Sequence, residues 1–225
     1  MRVLLTGAFG NLGSRTIESL LDQGHEVLAI LISSKLSGTV DSAVQAKAML
    51  PDAPIEIVDS FSTGMAMGFH VLAAARAAEA GASLAECKAI AEKAREHTGI
   101  LLTVDTLEFL HRGGRIGGAS RFLGTALNIK PILELVEGRL EPLERVRTRG
   151  KAVARLVELL VERVGDRQPV RLAVIHANAA IDAQALLTLA NVKLNAIEAL
   201  VTDVSPVIGT HVGPGTIAIT YMAGM

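Results

Sequence analysis

Three short stretches carry residues whose types and spacing suit them to holding an anion. In "SSKLSGT" (33–39), Ser37 and Thr39 stand just before the helix-patterned "VDSAVQAKAML". Their hydroxyls would sit among the unpaired N–H groups of a helix start, where the macrodipole favours negative charge. In "THVGPG" (210–215), His211 can add a charge-assisted hydrogen bond when protonated. In "TGAFGNLGS" (6–14), Gly7, Gly10 and Gly13 lie between an apolar run and a helical pattern, as in a phosphate loop joining strand to helix. Each stretch also has a purely structural use: Ser37 or Thr39 as a helix cap, His211 as a loop residue, the glycines as a connector.

The glycine loop can be tested against what a dinucleotide needs. An acidic residue should end the second strand, about 20 residues on, to bind the ribose hydroxyls. "HEVLAILI" runs instead into Ser33, Ser34 and Lys35, which suit a 2′-phosphate, so NADP is the nicotinamide cofactor these residues would favour. The first thirty residues resemble the opening of the extended short-chain dehydrogenases, whose TGxxGxxG is matched by Thr6, Gly7, Gly10 and Gly13. No Tyr-x-x-x-Lys pair follows, and Tyr221 has no Lys four positions on, so dehydrogenase chemistry lacks its proton donor.

These residues must be positioned by an α/β framework. "RVLLT", "HEVLAILI", "PIEIVDS" and "GILLTVDT" are β-branched runs separated by helical patterns, which predicts a parallel, Rossmann-like sheet. Ser83 and Glu86 form a capping-box pattern, and the helix they open is expected to stop near Gly99. Beyond "HRGGRIGG" (111–118) the texture changes to a hairpin turning at Glu137-Gly138, then a long helix, then further strands "VRLAVIHA", "IEALVTDV" and "TIAITYMA". Two domains are expected, 1–127 and 128–225, the second α/β with a mixed or antiparallel sheet.

Composition bounds the function. With 225 residues, 50% hydrophobic and a formal net charge of −1, the chain can bury a large core and shows no bias towards nucleic acid or anionic membrane. One Cys, Cys87, excludes an internal disulfide and fits a reducing cytoplasmic setting. No apolar run approaches membrane-spanning length, and the opening residues lack a signal-peptide pattern. With no Trp and one Tyr, base-stacking platforms are not expected.

From residue 32 onward, "ISSKLSGT", "IVDS", "VDTLEFLHRGGRIGG", "NIKPILEL", "ERVRTR" and "PVIGTHVGPG" together resemble the DegV family of bacterial fatty-acid-binding proteins. The resemblance implies a non-enzymatic, two-domain α/β protein that holds one long-chain fatty acid between its domains and needs no cofactor. It also implies, for some members, presentation of the acid to a separate fatty-acid kinase subunit. By motif, Ser37 and His211 match positions that hold the carboxylate, with Thr39 beside Ser37, and Arg147 in "ERVRT" matches a position near the head group or the kinase-facing surface. The front departs from the pattern: the family's "TDST"-like strand end and "TSQPS"-like loop are not found before "ISSKLSGT". The expectation is a chimera in which a dehydrogenase-type β-α-β fragment, about residues 1–30, has been grafted by design or recombination onto a DegV body.

Other conspicuous residues have bland alternatives. Met65, Met67 and Phe69 could line an acyl tunnel or fill a core. Arg112 and Arg115 could attract an anion or partner, or belong to a solvated linker. His176 and Asn178, at a strand end, read as satisfied structural polar groups.

Overall fold

A computed structural model of the chain describes residues 3–5, 11–124 and 129–225. Its contacts divide the chain into two compact units, residues 1–63 with 67–96 and residues 64–66 with 97–225.

The first unit is built on a three-stranded parallel sheet in the order β1 (Val3–Leu5), β2 (Val27–Leu31), β3 (Ile55–Asp59). The first two predicted strands pair side by side, Val3 opposite Val27. All five residues of β2 are buried, as expected of a central parallel strand covered on both faces. Helix α1 (Asn11–Asp22) buries Ile17 against Val27 and Ile55. Helices α2 (Thr39–Ala48), α3 (Gly64–Glu79) and α4 (Leu84–Lys93) follow. Leu28, Ile30 and Val58 pack with Ala74, Cys87 and Ala91 of α3 and α4. The capping box of α4 forms in full: Ser83 Oγ accepts from the Glu86 N–H, and the Glu86 carboxylate accepts from the Ser83 N–H at 2.7 Å. The helix ends earlier than expected, because a 3-10 turn (Ala94–His97) leads straight into the next strand.

The second unit holds a six-stranded sheet in the order β6-β5-β4-β9-β7-β8. Its strands are β4 (Thr98–Thr103), β5 (Lys130–Val136), β6 (Arg139–Val146), β7 (Val170–His176), β8 (Glu198–Asp203) and β9 (Ile217–Ala223). β7 and β8 are parallel and the other pairings antiparallel, so the sheet is mixed. The β5–β6 hairpin turns at Glu137-Gly138 with φ of 48° and 79°, the two left-handed residues of a type I′ turn. Helices α6 (Arg149–Val164) and α7 (Ala180–Leu194) cover one face, where Leu101, Ile132, Leu172, Val174 and Ile219 meet Leu156, Leu160 and Leu186. Ile100, Leu102, Leu133 and Ile175, on the opposite side of the pleat, pack with Leu110 of α5 (Glu108–Arg112) and Ala119 of a 3-10 turn (Gly117–Phe122). A short α8 (Pro206–Val212) precedes β9.

Two expectations are corrected. "GILLTVDT" is not a fourth parallel strand: β4 runs antiparallel between β9 and β5. Its apolar run fits any doubly covered strand and encodes no direction. The second unit therefore begins near 97 rather than 128, because β4 is a central strand of its sheet. Among the described residues no helix is long and apolar enough to cross a membrane.

Candidate functional site

In the first unit, polar residues gather where β2 and β3 end. Asp59 closes β3, and its carboxylate accepts from the backbone N–H groups of Phe61 (2.9 Å) and Ser34 (3.3 Å). Arg95 donates from Nε to the Asp59 carbonyl at 2.9 Å and lies over the Phe61 ring, its guanidinium carbon 5.1 Å from the centroid. Ser60 Oγ donates to the Leu31 carbonyl at 2.6 Å and accepts from the Ser62 N–H, while the Ser33 N–H donates to the Ser62 carbonyl. These buried serines tie the two loops together.

Ser37 and Thr39 emerge from that scaffold at the start of α2. Gly38 is the N-cap residue, and no side chain caps the helix, so neither hydroxyl acts as the cap. Instead Ser37 Oγ and Thr39 Oγ1 lie 2.7 Å apart, and Ser37 Oγ accepts from the Thr39 N–H at 3.3 Å. A hydroxyl donates one hydrogen bond. Whichever of the two donates within the pair, the other keeps its proton for an external acceptor. The half-buried pair is thus a one-proton donor beside a helix start, a suitable seat for one carboxylate oxygen.

The residues expected to read a cofactor phosphate are placed otherwise. Ser33 is fully buried, and its Oγ accepts from the Lys35 N–H at 3.1 Å; it faces inward and presents nothing to a bulky 2′-phosphate. Lys35 is exposed. Thr6, Gly7 and Gly10 lie outside the described residues, and Gly13 belongs to α1. Tyr221 is buried in β9 against Gly99.

In the second unit, His211 sits in the last turn of α8, a helix capped by Ser205 through the Ile208 N–H. The alternative of a loop residue is thus replaced by a helix, for which Ser205-Pro206 is the start signal. The imidazole lies on Gly113, where a Cβ would stand 2.2 Å from Nδ1. That nitrogen is enclosed and has no hydrogen-bond partner among the described residues, which leaves Nε2 as the one a ligand can reach. The glycines of "HVGPG" have local reasons. Gly213 (φ +78°) lies under the Phe109 ring, where a Cβ would come within 2.3 Å, and Gly215 (φ +79°) abuts the Asp105 carboxylate.

Arg147 is exposed just beyond β6, whereas Arg149, two residues on, turns into a polar cluster that sequence reasoning missed. Arg149 donates from Nε to Asp182 at 2.8 Å and approaches Asp105 at 3.7 Å, and Lys130 pairs with Asp105 at 2.7 Å. His176 Nδ1 is 3.2 Å from Asp203, so that residue is a paired structural group as expected; Asn178, at φ +52°, starts the turn into α7. Together they line an open depression of about 900 Å³ at the ends of β7 and β8. Asp105 and Lys130 lie inside "VDT" and "NIKP", so motif membership was the one available signal. Among the described residues no group of His, Cys, Asp and Glu is arranged to hold a metal ion.

The remaining candidates resolve as structure. Phe69 is fully buried, Met67 packs on the Leu28–Ile30 core, and Met65, which belongs to the second unit, packs on that unit's own Ile100–Leu102 core. Arg112 pairs with Glu108 within α5, and Arg115 donates to the Gly113 carbonyl, so this stretch is a helix and turn rather than a linker.

Comparison with known proteins places this arrangement. The family model described as "Uncharacterised protein, DegV family" matches residues 13–224. A DegV domain-containing protein of Streptomyces coelicolor is 42% identical over 208 residues, 92% of this chain and 73% of the relative. Among solved structures, one titled as fatty-acid binding of a DegV family protein from Thermus thermophilus superposes with a TM-score of 0.88 at 36% identity, covering 93% of this chain and 75% of that one. DegV of Bacillus subtilis, titled a fatty acid binding protein, gives a TM-score of 0.80 at 33% identity over 93% of this chain and 76% of that one. The chain belongs to the DegV family. The expectation of a dehydrogenase-type graft over about residues 1–30 is not supported: the family match runs through residues 13–30, so β2 and all but the first residues of α1 are accounted for without a junction near 30.

Proposed function

We propose that this DegV-family chain binds one long-chain fatty acid without chemical turnover, its carboxylate accepting the free hydroxyl proton of the Ser37–Thr39 pair. The observation that carries the reading is that pair's geometry: two hydroxyls 2.7 Å apart, beside an uncapped helix start, with one proton left over. His211 is proposed as the second donor to the carboxylate, through Nε2. The fatty-acid ligands named for the Thermus thermophilus and Bacillus subtilis relatives support the ligand class. Affinity would come from burial of the acyl chain, at about 0.8 kcal/mol per methylene, and the head-group contacts would fix its direction. Exposed Arg147 is proposed to face a kinase subunit that phosphorylates the presented acid, and the cytoplasm is the setting such a partner implies.

Denaturing extraction of the purified protein followed by mass spectrometry should recover a C16–C18 acid. In titrations with that acid, Ser37→Ala and His211→Ala should each weaken binding about tenfold or more, the cost of a charged hydrogen bond lost at roughly 1.5–3 kcal/mol. Equal binding by wild type and both variants would place the carboxylate elsewhere.

A further inference from the structure

Helix α7 is apolar on two opposite sides. Ala183, Leu186, Leu187, Ala190 and Leu194 are buried towards the sheet. On the far side Ile181 is 87% exposed and Val192 79%, with exposed Ala185 and Thr188 between them. A second apolar strip opposite a helix's core face, rimmed by polar flanks, is the mark of an interaction surface. These four outer positions repeat at spacings of four, three and four residues, the 3.5-residue period of a seam between two helices. Thr188 fits this seam because its hydroxyl already donates to the Gln184 carbonyl at 2.9 Å, which leaves its methyl group to face outward. Leu189, 50% exposed, broadens the strip along one edge.

We infer that this face of α7 pairs with the same face of a second copy of the chain, the two helices antiparallel about a two-fold axis near the seam's midpoint. In that arrangement Ile181 packs beside the partner's Val192, and Ala185 beside the partner's Thr188, small residues that allow close approach at the centre. Charge complementarity selects this occupant. Asp182, paired with Arg149 of its own chain but with its side chain still 44% exposed, lies at the start of the helix and Lys193 at its end, on one flank, so a two-fold brings each Lys193 to the Asp182 end of the other helix. The opposite flank carries Gln184 and Asn191, amides that can pair with their own counterparts. The strip holds no cluster of cations for an anionic partner. A 15-residue helix is about 22 Å long, so the seam is small and the dimer weak and reversible, with Kd on the order of 10–100 µM.

Sedimentation equilibrium of the full chain from 1 to 300 µM should show a concentration-dependent dimer. Val192→Glu should abolish it with an unchanged melting curve, since that side chain is exposed, and Lys193→Glu should raise Kd several-fold. The double variant Ile181→Cys/Val192→Cys tests orientation. Within one helix these positions are about 16 Å apart, too far for a disulfide, and native Cys87 is buried, so in the antiparallel pair oxidation should cross-link the double variant but not Ile181→Cys alone, whereas a parallel pair would cross-link both. Monomer at every concentration would overturn the inference, as would a dimer indifferent to Val192→Glu. Co-sedimentation of the wild type with phosphatidylcholine vesicles, lost in Val192→Glu, would assign the strip to lipid and overturn it equally.

Discussion

The two units handle polar residues in opposite ways. Around β2 and β3, buried polarity is kept neutral or tied to backbone, and the ion pairs of Glu56 with Lys88 and Lys47 stay part-exposed: Ser33, Ser60 and Ser62 are buried and hydrogen-bonded to main chain, Asp59 accepts from two backbone N–H groups, and His70 is completely enclosed. Around the six-stranded sheet, polarity is held as ion pairs: Arg163 forks onto Glu134, Arg155 gathers Glu144, Glu158 and Glu162, and Arg149 joins Asp105 and Asp182. The difference separates what each unit responds to. The first should lose stability in acid as enclosed His70 is forced to take a proton; the second, richer in exposed ion pairs, should respond more to salt, and it too should weaken in acid as Glu144, held below the usual carboxylate range by Arg155, is protonated.

The largest expected effect probes the first unit. Burial, followed by the charge of Arg95, pushes His70 down to about 4 from its ordinary 6.5. A group depressed in this way binds its proton less readily when folded, so its stabilisation is whole above about pH 6.5 and disappears as pH falls towards 4. The loss should reach roughly 3 kcal/mol, and His70→Gln should flatten that limb of a urea-midpoint-versus-pH curve. A curve of the same slope in the variant would break the contrast between the units.

A smaller effect sharpens the other side. Arg163→Met leaves the Glu134 carboxylate, only 14% exposed, without its bidentate partner, and should cost about 2 kcal/mol in urea unfolding. Adding Glu134→Gln should recover part of it, because the orphaned charge goes with the substitution. The smallest effect is Ser37→Ala, expected to change the melting stability by under about 0.5 kcal/mol, since the hydroxyl's one bond to the helix start is a long contact from the Thr39 N–H at 3.3 Å. A large loss there would make Ser37 a structural residue and remove the basis for reading it as a ligand donor.

How much of this was legible in the sequence depended on how local the cause was. The α4 capping box and the Glu137-Gly138 turn could be read because each is settled by residues within four positions of one another. The antiparallel direction of β4 could not, because its partners are β9 and β5 and its apolar pattern suits either direction. In the candidate site, Ser37 and Thr39 were legible from their place at the start of α2, but which serine turns inward was not: Ser33 is buried by its bond to the distant Ser62 loop. The cluster around Arg149 brings together Asp105, Lys130, Asp182 and Asp203 from segments far apart in the chain, and no spacing announces such a meeting.

The order of strands in the larger sheet bears on how a ribosome must deliver it. β9 lies between β4 and β7, yet it is the last of the six strands to be made. At about 5–20 residues per second, the stretch from β4 to β9 takes on the order of ten seconds to synthesise. β4 waits through that whole interval, and β7 through its last part, both strongly apolar and with the edges meant for β9 unpaired. The three parallel strands of the smaller sheet are complete long before. Nascent chains should therefore become protease-resistant in two stages, the first unit well ahead of the second, and the emerging β4–β7 segment is where a holding chaperone would be needed most.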